Sequence, residues 1–145
     1  MLTSRSALSV GYALIALVAL IATWSENLAY FRAVTDFFPA LGAFLHDTTV
    51  TPASRSITID IGLFFLSAAI FMVIEARKYG IRFVWLYIFV GLFVAISVAF
   101  PLFLIARERK LTEPGNRSLG AIDVMALTAL ALVIVSLSVW IMRLF

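Results

Sequence analysis

Residues 83–105 read FVWLYIFVGLFVAISVAFPLFLI, an apolar run with no ionisable side chain except Tyr87. In a helix such a run rises about 35 Å at 1.5 Å per residue, more than the roughly 30 Å of a bilayer's hydrocarbon core. Lipid cannot satisfy open backbone groups, so a run of this kind must be helical. The reading is therefore one continuous membrane span. Pro101 leaves the carbonyl of Ser97 without its usual donor and bends the helix; the Ser97 hydroxyl or a water is expected to fill that gap. Gly91, Ala95 and Ala99 recur every four residues and predict a face where another helix comes close.

Three further runs have spanning length, at about 7–24, 57–76 and 121–143. The first exceeds the 7–15 apolar residues of a secretion signal and is read as an uncleaved helix. The fold class is thus all-α. The expectation is a single membrane domain over residues 1–145, a polytopic four-transmembrane-helix bundle with an amphipathic interfacial helix in its first loop. Composition agrees. The chain is 63% apolar and 13% charged, with a mean hydropathy of +1.09, against about 25% charged in soluble domains. A chain of 145 residues has no room to hide so much apolar surface from water.

The net charge is +3. Its cations sit at the ends of apolar runs, where side chains snorkel and meet anionic lipid. Arg77, Lys78, Arg82, Arg109 and Lys110 are accordingly read as headgroup anchors, and no nucleic-acid partner is expected. There is no cysteine and one histidine, His46. That excludes disulfides, thiol catalysis and Cys- or His-rich metal sites, and no metal is expected.

The first loop, residues 25–56, carries Phe31, Val34, Phe38, Leu41 and Leu45 at spacings of three and four. That is the period of an amphipathic helix, here expected to be split by Pro39 and to lie in the headgroup region. Gly80 is a helix stop, residues 113–116 a turn, and Ser118 a cap for the last helix. With four spans, one side carries Arg5, Arg77, Lys78, Arg82 and Arg143. The other carries Arg32, Arg55, Arg107, Arg109, Lys110 and Arg117. Five against six gives the positive-inside rule almost nothing to act on. The reading adopted keeps both termini inside a bacterial cytoplasmic membrane.

The candidate intramembrane polar site is Asp60, Ser67, Glu75, Ser97, Arg107 and Asp123. Asp60, Phe64, Ser67, Phe71 and Glu75 fall on one helical stripe. Asp60 and Glu75 lie about 22 Å apart along the axis, too far for a direct acid/base pair. Ionised groups in spans seek partners. Since the second run begins where the third ends, Asp60 is expected to meet Arg107 on one rim, and Glu75 to meet Arg82 on the other. Asp123, in the first turn of the last helix, is expected to cap it beside Arg107. His46 with Asp47 is read as a surface pair.

The patterns W-S-E-N-x-x-Y-F (residues 24–31), T-P-A-S-R-S-I-x-x-D (51–60), F-M-V-I-E-A-R-K-Y-G-I-R (71–82) and A-F-P-L-F-L-x-x-R-E-R (99–109) resemble the DUF2834 family of small bacterial membrane proteins. Asp60, Glu75, Arg77, Pro101, Arg107 and Glu108 match its landmarks. The resemblance implies a compact bundle with three shared spans, the last helix being an extension, and brings no activity with it.

Three functions are weighed. The first is an accessory or scaffold protein binding membrane lipids or a larger membrane complex, or assembling with itself. The second is an intramembrane enzyme or binding protein for an apolar isoprenoid or carotenoid-like ligand, in a pocket lined by Phe64, Phe65, Phe71, Phe93, Phe100 and Phe103. The third, a small transporter, ranks last because residues 7–24 hold no acid. No cofactor is specified by the sequence.

Overall fold

The structure, a computed structural model, describes residues 4–33, 36–111 and 120–143. The described residues form six α-helices and no strand: α1 (Ser4–Ala33), α2 (Phe37–Asp47), α3 (Pro52–Tyr79), α4 (Val84–Phe93), α5 (Ile96–Lys110) and α6 (Ala121–Met142). Of these, α1, α3 and α6 are long and apolar enough to cross a membrane. At 30, 28 and 22 residues they measure about 45, 42 and 33 Å.

The stretch 83–105 is not one span. It breaks at Val94 and Ala95, where both backbone N–H groups donate to the carbonyl of Val90, at 2.8 and 3.2 Å. Ala95, in extended backbone, then starts α5. With 10 and 15 residues, α4 and α5 rise only about 15 and 22 Å, and neither spans alone. Pro101 stays inside α5, where it still leaves the Ser97 carbonyl without a helical donor, so it does not itself account for the break at Val94 and Ala95. The Ser97 hydroxyl stays exposed and makes no bond among the described residues, so the gap-filling role expected of it is not found.

The two short helices form a hairpin that returns to its starting level. Gly91, near the end of α4, approaches Phe65 at the middle of α3. From there α5 runs parallel to α3: Phe100 meets Phe64 and Phe71, and Arg107 meets Glu75 and Tyr79. The small residues do make a close-packing face, and it closes the hairpin on itself, with Gly91 against Ala99. Ala68, Met72, Ala76, Ile81, Ile96 and Phe103 form the core, with Met72 and Phe103 fully buried. Lipid is as apolar as these side chains, so close contact rather than exclusion of water holds them. α5 packs on α1, α3 and α4, and among the described residues α1 and α3 share at most a slight contact; α6 rests lightly on α1 and buries none of its residues.

Local signals account for the ends of α3. Thr51 and Ser54 cap it reciprocally: Ser54 N donates to Thr51 Oγ1 and Thr51 N to Ser54 Oγ, both at 3.0 Å. This starts the helix at Pro52 rather than near 57. Gly80 ends it in the left-handed conformation at φ 63°, as its sequence position predicts. Phe83 repeats that conformation at φ 61°, so the chain reverses within four residues. Pro39 does not split α2; it lies in the first turn, where no donor is required. Val34, the 113–116 turn and Ser118 lie outside the described residues. The last helix is capped at Gly120.

Candidate functional site

Ionised side chains converge where the hairpin returns to the end of α3. Glu75 and Glu108 are each only 8% exposed, and a carboxylate buried to that degree needs a charged or donor partner. Arg107 supplies it to both. Its Nε donates to Glu75 Oε2, and its Nη1 donates to Glu108 Oε1 at 3.4 Å. The guanidinium also lies over the ring of Tyr79, 5.4 Å from the centroid, a cation–π contact suited to a partly desolvated arginine. Lys78 approaches the same ring at 5.1 Å. One cation shared by two acids leaves a local charge of −1, balanced by exposed Arg77, Lys78, Arg109 and Lys110 around it. The chemistry of this arrangement is that of a clamp joining α3 to α5.

This corrects the expected pairing. Arg107 lies at the level of Glu75, not of Asp60, because the break at Val94 reverses the direction in which α5 travels. Glu75 in turn pairs with Arg107 and not with Arg82, which is exposed. The five anchors Arg77, Lys78, Arg82, Arg109 and Lys110 consequently share one end of the molecule. The residues that make the site are Glu75, Arg107 and Glu108. Glu108, a landmark of the family resemblance, was not among the candidate polar residues. Its spacing from Glu75 carries no signal unless the hairpin is known.

The other candidates stand apart. Ser67 donates to its own helix, to the carbonyl of Leu63 at 3.0 Å. Asp123 caps α6 by accepting from Gly120 N at 3.0 Å, and forms no pair with Arg107. Asp60 is exposed on α3 and has no bonding partner among the described residues. It continues the stripe of Phe64 and Phe71 beyond the reach of α5. The His46–Asp47 pair is an exposed contact at 3.2 Å. Asp47 also accepts from the Tyr30 hydroxyl at 2.9 Å, which ties α2 to α1. The two hydrogen bonds, first that from Tyr30 and then that from His46, hold the Asp47 carboxyl below its ordinary range.

Of the six phenylalanines expected to line a ligand pocket, Phe64, Phe71 and Phe93 are exposed, Phe65 and Phe100 are half-buried and Phe103 is buried. Phe64 and Phe71 stand edge-on to Phe100, Phe103 packs against Tyr87, and Phe65 abuts Gly91. Of the six, Phe93 alone lines the aromatic cleft between α1, α2 and the hairpin tip.

A family model described as "Protein of unknown function DUF2834" matches residues 11–109, well over half of the chain. The match ends in α5 and takes in the whole clamp. No curated protein and no solved structure matches the chain.

Proposed function

We propose that this chain, which belongs to the DUF2834 family, is a small accessory protein of the membrane that docks onto a larger membrane partner. Asp60 carries this reading. It lies eight residues, about 12 Å, along α3 from Pro52. A 42 Å helix centred on a core of about 30 Å leaves roughly 6 Å outside at each end, so Asp60 lies about 6 Å inside the hydrocarbon. A bare carboxylate there is costly, and such residues mark contact with a partner or a polar pathway. Two copies paired through this face would set Asp60 against Asp60, which like charges oppose. The occupant we infer is therefore a different polypeptide offering Arg, Lys or another donor at that depth.

The re-entrant path of α4 and α5 also supports an orientation. Three full crossings, rather than four, bring Arg5, Arg77, Lys78, Arg82, Arg107, Arg109 and Lys110 to one face and leave Arg32, Arg55 and Arg143 on the other. Seven against three is an asymmetry on which the positive-inside rule acts. In this reading the basic face is cytoplasmic, against anionic lipid. The N-terminus is inside and the C-terminus outside, in place of two inner termini.

The test is purification of the tagged chain from its own membrane in gentle detergent, with mass spectrometry of what accompanies it. A stoichiometric membrane protein is expected, lost in Asp60→Leu. The isolated Asp60→Leu chain should at the same time be more heat-stable than the parent, since a bare charge has left the hydrocarbon. A less stable Asp60→Leu chain, or an accompanying protein that persists in it, overturns the reading.

A further inference from the structure

We propose that the basic end of the molecule, where α3 and α5 finish side by side, binds the phosphate of an anionic phospholipid. Arg77 and Lys78 lie in the last turn of α3, Arg109 and Lys110 in the last turn of α5, and Arg82 in the turn that leads to α4. The Glu75–Arg107 contact brings the two basic pairs to one level, although its members are 32 positions apart in the chain. All five cations are exposed, and none joins an ion pair among the described residues. Lys78 rests on the ring of Tyr79, a neutral partner. The two acids nearby are buried and already shared by Arg107. The five cations therefore outweigh the clamp's −1, and their counter-anion must come from outside the chain.

Position identifies that anion. Phe83 and Trp85, 76% and 66% exposed, stand at the start of α4 next to Arg82, and exposed aromatic rings of this kind sit at the level of the bilayer interface. Cations at the ends of the same rods meet lipid phosphates. The opposite end is built differently. Arg55 there donates to the carbonyls of Thr49 and Val50, at 2.9 and 3.4 Å, and the exposed acids Asp36 and Asp47 belong to that end. A diester phosphate offers acceptor oxygens to a guanidinium and an ammonium together. The two basic pairs belong to different elements, so phosphate gathered across them offsets their mutual repulsion and fastens the hairpin to α3. Lipid binding here rests on the basic face described above and not on Asp60, so its failure in the isolated chain leaves partner docking standing.

The probe is dioleoyl phosphatidylglycerol, offered to the purified full-length chain in dodecyl maltoside micelles with an equal amount of dioleoyl phosphatidylcholine. Native mass spectrometry counts the lipid retained. Each Lys or Arg near the surface favours an anionic headgroup about five-fold, so a preference for phosphatidylglycerol on the order of ten-fold is expected. Arg77→Gln with Lys78→Gln, and separately Arg109→Gln with Lys110→Gln, should each lower it about three-fold or more. Arg32→Gln, at the opposite end, should leave it unchanged. Phosphatidylglycerol should also raise the melting temperature of the unaltered chain above its value in phosphatidylcholine, and do so less in either double variant. Inorganic phosphate tests for a free anion and a hexaglutamate peptide for an acidic protein segment; at the lipid's concentration neither should displace phosphatidylglycerol. The comparison of the two lipids on the unaltered chain decides the matter even where a double variant fails to fold. The proposal is overturned by equal retention of the two lipids, by an equal loss of preference in Arg32→Gln, or by displacement by phosphate or the peptide.

Discussion

Glu75 and Arg107 are 32 positions apart in the chain and in direct contact in the fold. The contact requires α5 to run parallel to α3, which a continuous helix over 83–105 forbids. This one ion pair therefore distinguishes a re-entrant hairpin from a fourth span.

Removing one member of a buried pair strands the other, at a typical cost of about 3–5 kcal/mol. Glu108 remains beside Arg107 after Glu75→Gln, so the expected loss is smaller, about 2 kcal/mol. Unfolding in mixed micelles measures it. The exchange Glu75→Arg with Arg107→Glu should recover part of the loss. A neutral Glu75→Gln alongside a damaging Glu108→Gln would reverse the roles assigned to the two acids.

The hairpin fixes which positions share a membrane face. The chain has no cysteine, so single cysteines report cleanly. Arg82→Cys and Lys110→Cys should react with a membrane-impermeant maleimide from the same side, and Val50→Cys from the opposite side. Labelling of Arg82→Cys and Lys110→Cys from opposite sides would restore the four-span arrangement.

Gly91 sits where the hairpin tip touches α3. A Cβ there would lie 3.0 Å from a ring carbon of Phe65 and 3.3 Å from Ile96 Cδ1. Both neighbours are side-chain ends that can give way, so Gly91→Ala should cost under about 1 kcal/mol. Gly91→Leu overfills the contact and should cost about 2–3 kcal/mol. Equal melting temperatures for the two variants would show that the tip does not bear on Phe65.

The link between α1 and α2 should weaken in acid. Tyr30, and secondarily His46, hold the Asp47 carboxyl below its ordinary range. A lowered folded pKa contributes stability above the unfolded value, and that contribution is lost as pH falls through the folded one. The loss should therefore begin below about pH 4. Trp24 fluorescence, in a chain with Trp85 and Trp140 changed to Phe, should report the release of α2. Tyr30→Phe should abolish the step; an unchanged acid transition in that variant would clear Asp47 of the role.

The three rods were legible in the sequence because lipid imposes a length that water does not. The same rule hid the hairpin. A run of apolar residues satisfies it whether the chain crosses once or turns back halfway. Gly91 and Ala99 were in view as the hairpin's own contact face, but the break at Val94 and Ala95 carries no glycine or proline to announce it. The capping of α3 escaped notice because Ser54 stands where a capping box usually has Glu or Gln. Once the hairpin is drawn, Glu75, Arg107 and Glu108 follow. Without it the geometry points Arg107 at Asp60.

The isolation of α6 has a mechanical consequence. At about 33 Å it is slightly longer than a hydrocarbon layer of about 30 Å, and little protein restrains it. Bilayer thickness should then set its lean: near 25° in an ordinary membrane, upright in a thicker one. The last helix acts as a gauge of the surrounding lipid, and an angle by solid-state NMR that stayed constant between thin and thick bilayers would deny it that part.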